Sequence, residues 1–165
     1  MVKRKPYQYI LSWLPAVILM IIIFTFSSRV ADDSNRTSVG LTKKVVYVIE
    51  HITNEKIEEG SDAYEQIHHI VRKTGHFLEY MALGCTFVLP YALLVRKKYK
   101  IFILSEISSV FYACTDEFHQ LFVEGRDGNF KDVGIDGTGA LIGVCVGLFM
   151  WYLIRCINKK TKKLS

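Results

Sequence analysis

Apolar residues in this chain gather in long blocks instead of helical stripes. Four blocks dominate, at 7–28, 76–95, 101–122 and 133–157. Each approaches the ~20 residues that a helix needs to cross a ~30 Å hydrocarbon core. The first, with LPAVILMIIIFTF at its centre, is the clearest, whereas the third carries Glu106 and several serines. The pattern predicts an all-α fold: one integral membrane domain over 1–165, built as a bundle of four transmembrane helices. A soluble bundle of apolar helices is the alternative, but it would show narrower stripes with polar faces between them.

The segment 29–73 has a different rhythm. Leu41, Val45, Val48, Ile49 and Ile52 follow i, i+4, i+7, i+8, i+11, with Lys43, Lys44 and Glu50 off that face. This is the spacing of an amphipathic helix, expected on the outer membrane surface or capping the bundle. Residues 54–60 break it, and Ser61 or Asp62 is placed to cap a second short helix through Ile67, Ile70 and Val71.

Composition agrees: half of the 165 residues are hydrophobic, and the mean hydropathy is positive. Lys3, Arg4 and Lys5 before the first block imitate a signal peptide. However, the apolar run is too long and no small-x-small cleavage site follows, so a retained anchor is expected. Cys85, Cys114, Cys145 and Cys156 fall within or at the end of the blocks, with neither metal-knuckle nor disulfide-framework spacing, and read as small apolar residues.

The net charge of +5 could suggest nucleic acid, but its placement points to a membrane. Lys3, Arg4 and Lys5, then Arg96, Lys97, Lys98 and Lys100, then Arg155, Lys159, Lys160, Lys162 and Lys163 form three basic segments without acids. Segments 29–73 and 124–132 mix both signs. Basic excess marks cytoplasmic loops. Both termini and the middle loop are therefore expected inside and the mixed segments outside, with no nucleic-acid partner.

That topology brings distant polar groups to the outer face. Arg72, Lys73, His76, Glu79 and Tyr80 begin the second span; Asp116, Glu117, His119 and Gln120 end the third; Arg126 lies in the loop; Asp132 and Asp136 begin the fourth. Gly139, Gly143 and Gly147 continue the Asp132–Asp136 row as a small-residue ridge suited to close helix packing. Ionisable groups in spans are costly and face a bundle interior or an aqueous cavity, so these residues are the expected lining of an outward polar pocket. His51, His68 and His69 are expected to face solvent.

The ordered set Arg72-Lys73-x-x-His76-x-x-Glu79-Tyr80, Asp116-Glu117-x-His119-Gln120-x-Phe122, Gly125-Arg126 and Asp132 through Gly139 and Gly143, with Phe26-Ser27-Ser28 leaving the first span, resembles the VanZ-like family. The resemblance spans nearly the whole chain. It implies a small multi-pass protein of the bacterial cell membrane, acting in the cell envelope. The family's namesake accompanies glycopeptide-resistance genes and lowers susceptibility to the lipoglycopeptide teicoplanin. The chain departs from the pattern at Glu124, where Pro is expected before Gly125-Arg126, and at Asp136, where an amide is common.

Three readings of the pocket follow. In the first, Arg72, Lys73 and Arg126 hold an anionic group of a membrane lipid, a lipid-linked envelope component or a lipoglycopeptide. In the second, His76 or His119 is a general base beside Glu79, Asp116 or Glu117, acting on a lipid-linked substrate. Asp116 and Asp132 could then hold a divalent cation, although no established metal signature is present. The third is a small transporter, which would give Glu106 a role but lacks an inverted repeat.

Overall fold

The computed structural model describes residues 5–28, 31–124 and 128–164, without the side chains of 31–37, 160 and 162–164. The chain forms α1 (Pro6–Ser27), α2 (Ala31–Thr53), α3 (Asp62–Leu94), α4 (Lys98–Gln120) and α5 (Phe130–Leu164), with no strand among the described residues. Proline in the first turn suits α1, since that position has no helical acceptor for its missing N–H. Asn54 and Gly60, both at positive φ, terminate α2 and open the turn to α3. Ser61 then caps α3, its Oγ accepting the Tyr64 N–H at 3.3 Å.

The expected short helix after Ser61 is not a separate element. It continues without a break into the apolar block as the 33-residue α3. At 1.5 Å per residue this is ~50 Å, well beyond a ~30 Å hydrocarbon core, so the first turns project past the apolar layer. α2 packs on that projection. Glu50 accepts the Ile57 N–H at 2.7 Å, and Lys43 pairs with Glu59 at 3.0 Å, which raises the lysine pKa through that hydrogen-bonded charge. Thr42 and Val46 are buried, whereas the amphipathic stripe Leu41, Val45, Val48 and Ile52 stays exposed.

Length and apolar composition qualify α1, α3 and α5 as membrane-crossing helices, making this a multi-pass membrane protein. α4 falls short of that measure because it carries Glu106 and a row of polar residues.

Contacts fix the helix directions. Trp13 stacks edgewise on Phe87 and Tyr91, so α1 runs antiparallel to α3. The Tyr112 hydroxyl donates to the Met20 carbonyl at 2.5 Å, and His119 meets Phe24, so α1 and α4 are parallel. Tyr91 bonds Ser108 at 2.6 Å near the turn joining α3 to antiparallel α4. α5 runs parallel to α3: Gly139, Gly143 and Gly147 lie on the backbone of Phe77, Met81 and Cys85, each a turn further along. Gly84 returns the contact against the Ala140 carbonyl. A β-carbon at any of these glycines would collide with backbone, so the helices approach as closely as small residues allow. Tyr80, Leu83, Phe87, Ala16, Ile23, Ala113 and Ala140 form the central core.

Candidate functional site

The ends of α1 and α4 and the corresponding turns of α3 and α5 meet at one end of the bundle. There α4 turns Asp116, Glu117 and Gln120 inward, all buried. Gln120 Nε2 donates to Asp116 Oδ2 at 3.2 Å, one helical turn away. Glu117 Oε2 accepts the Asn129 N–H at 2.8 Å, tying α4 to the entry of α5. Gly128 presses on the Glu117 carbonyl and Leu121, where a larger residue would not fit.

α5 contributes Asp132 and Asp136, stacked one turn apart. Asp132 pairs with Lys73 of α3, their side chains only 20% and 17% exposed. Asp136 is fully buried, and neither of its carboxylate oxygens has a hydrogen-bond partner among the described residues. The fully buried Tyr80 hydroxyl also lacks one among those residues. Tyr80 lies within electrostatic reach of Asp116, Asp136 and Glu117, while Asp136 feels Glu117, Asp116, Asp132 and Lys73. Carboxyl groups crowded in a low-dielectric interior are costly to ionise together, and a donor-rich or cationic group would offset that cost.

His76 and Glu79 are half-buried on α3, with Nδ1 and Oε2 4.0 Å apart, an ion-pair distance too long for a hydrogen bond. His119 leaves the acids and faces α1. Its ring stacks on Phe24 with centroids 4.7 Å apart, and Nε2 lies 3.2 Å from Ser28 Oγ.

Arg72 shares its helix with Lys73 but not its surroundings. It is exposed and lines a shallow groove with Glu65, His68 and His69. The expectation that all three outer histidines face solvent fails at His68. Its side chain is 15% exposed and Nε2 is buried. His51 and His69 are exposed. Arg126 and Gly125 lie outside the described residues. Glu106 sits far from the cluster, half-buried midway along α4. Among the described residues no group of three His, Cys, Asp or Glu side chains is arranged to hold a metal ion.

Two contacts were not read from the sequence. Tyr112 had no distinguishing neighbours, and its bond to Met20 spans 92 positions. Ser28 stood in the noted Phe26-Ser27-Ser28 exit, but its meeting with His119 depends on α1 and α4 running parallel.

A family model described as VanZ/LLP1 matches residues 12–154. No curated protein and no solved structure matches the chain.

Proposed function

The chain belongs to the VanZ/LLP1 family, and we propose that it is a four-span protein of the bacterial cell membrane whose buried acidic end opens outward and binds the polar part of a lipid-linked envelope component. In this reading occupancy of the site lowers susceptibility to lipoglycopeptides such as teicoplanin. One observation carries it: Asp116, Glu117 and Asp136, from two helices, are buried together beside Tyr80 and the Lys73–Asp132 pair at one end of an otherwise apolar bundle. So many desolvated acids are more than a structural lock between helices requires.

Two features support α4 as the fourth span. It exposes Ile103, Ile107, Phe111 and Phe118 and buries Ser105, Ser109 and Asp116, apolar out and polar in, as lipid surroundings favour. The opposite end of the bundle is basic and aromatic: Arg155 lies over Trp151 at 4.4 Å and Lys98 over Tyr152 at 4.9 Å. Aromatic and basic side chains of this kind populate the cytoplasmic interface.

A second reading, an enzyme on a lipid-linked substrate, is favoured by the 3.2 Å approach of Ser28 Oγ to His119 Nε2. A hydroxyl within hydrogen-bond reach of an imidazole is the starting geometry of nucleophilic catalysis, reached here once the Ser28 hydroxyl turns from the Phe24 carbonyl, to which it donates at 2.7 Å. One variant series tests both. Glu79→Gln, Asp116→Asn and Arg126→Gln keep size while removing charge. On the binding reading they reach the membrane at normal levels and lose teicoplanin protection, while Ser28→Ala keeps it. Loss with Ser28→Ala, together with a changed lipid-intermediate profile by mass spectrometry, selects the enzyme. Full protection in all variants removes the acidic site from function.

A further inference from the structure

The acid cluster is a poor host for an anion, because buried carboxylates repel one. The basic groups of this end are divided. Lys73 is neutralised by Asp132. Arg72, one residue earlier and turned outward, has no ion-pair partner among the described residues. It closes a groove of about 290 Å³ lined by Glu65, His68 and His69, one and two turns up the same helix. Glu65 approaches His68 Nδ1 at 4.0 Å, and His68 Nε2 is buried without a hydrogen-bond partner among the described residues. The groove thus combines a guanidinium that has no ion-pair partner among the described residues with the exposed His69 imidazole and the Nδ1 edge of His68, donors suited to phosphate oxygens.

Its height matters as much as its chemistry. α3 ends at Leu94, beside the basic turn that joins it to α4. Counting ~20 residues back through the hydrocarbon layer reaches Gly75. Arg72 then stands about 5 Å beyond that level and His68 about 10 Å. The headgroup layer adds roughly 5–7 Å on each side of the core. Arg72 is therefore at phosphate depth, with the imidazoles just beyond that layer on its water side. Beside it, a second groove is lined by Asp62, Glu65, Gln66, His69 and the exposed Ile70.

We propose that Arg72, His68 and His69 form a binding site for a phosphate group at the membrane surface, separate from the acid cluster. The site is independent of which ligand that cluster takes. The phosphate is either the headgroup of an anionic lipid or a soluble phosphate, and the experiment distinguishes them. The full chain is reconstituted in phosphatidylcholine nanodiscs, with or without phosphatidylglycerol, and imidazole resonances are followed by NMR. Shifts of His68 and His69 with phosphatidylglycerol but not with inorganic phosphate assign a lipid headgroup; shifts with inorganic phosphate in phosphatidylcholine alone assign the soluble ion. In either case Arg72→Gln weakens binding roughly tenfold or more, the scale of a lost charge-assisted hydrogen bond. Lys44→Gln, which removes an exposed charge on α2, leaves it unchanged. The proposal is overturned if neither phosphate source moves the resonances, or if Lys44→Gln weakens binding as much as Arg72→Gln, which would reduce the effect to bulk surface charge.

Discussion

Lys73 and Arg72 are neighbours with opposite fates. One is drawn into a largely buried ion pair with Asp132, and the other is left in a surface groove. Helical geometry explains the division, since adjacent residues point about 100° apart. Sequence showed that basic groups gather just before the second apolar block; it could not show which one α5 would meet, because that depends on the rotation of α3 against its partner. The same limit applied to His119, which looked like a pocket residue and turns instead to Phe24 and Ser28. The Lys73–Asp132 pair has an energetic signature of its own. Breaking a desolvated pair from one side strands the other charge. Lys73→Gln and Asp132→Asn are each expected to lower thermal stability in detergent. The double variant should lose less than the sum of the two, with a coupling of about 1–3 kcal/mol. Additive losses would mean that the two groups do not interact in the folded protein.

For the helices, apolar runs located the elements well, because a lipid-facing segment is constrained along its whole length. Each predicted span falls on a helix, although α3 extends well beyond its apolar block. The amphipathic spacing at Leu41, Val45, Val48 and Ile52 also fell on a helix, but it did not reveal the packing face, since α2 meets α3 through Thr42 and Val46. A periodic stripe says where apolar side chains lie on a helix and nothing about what covers them. The glycine row was more informative, because glycine spaced by four implies close backbone approach. At Gly143 the Met81 carbonyl already occupies the space a side chain would need, whereas Gly134 has open surroundings. Gly143→Leu is expected to cost about 1–3 kcal/mol or more through forced separation of α3 and α5. Gly134→Leu, at the open position, should be tolerated. Equal thermal stability of the two variants would show that the α3–α5 contact is not tight in solution.

For the molecule as a whole, the helix directions divide the bundle into an acidic end and a basic, aromatic end. The proposed orientation puts the acidic end outside, and a labelling experiment decides it. In a background with Cys85, Cys114, Cys145 and Cys156 replaced by alanine, Asp62→Cys should react with an impermeant reagent in intact cells. Lys98→Cys should react only after permeabilisation; the reverse pattern would turn the molecule over. The parallel pairing of α3 with α5 also bears on how the molecule is made. These partners are separated in the chain by all of α4. As the ribosome emits the chain in order, the backbone face of Phe77, Met81 and Cys85 enters the bilayer with its glycine partner still unsynthesised. Asp132 and Asp136 arrive on that last helix, so Lys73 must wait for its counter-charge until then. Completion of the polar end and closure of the tightest helix contact are therefore one late event in biogenesis.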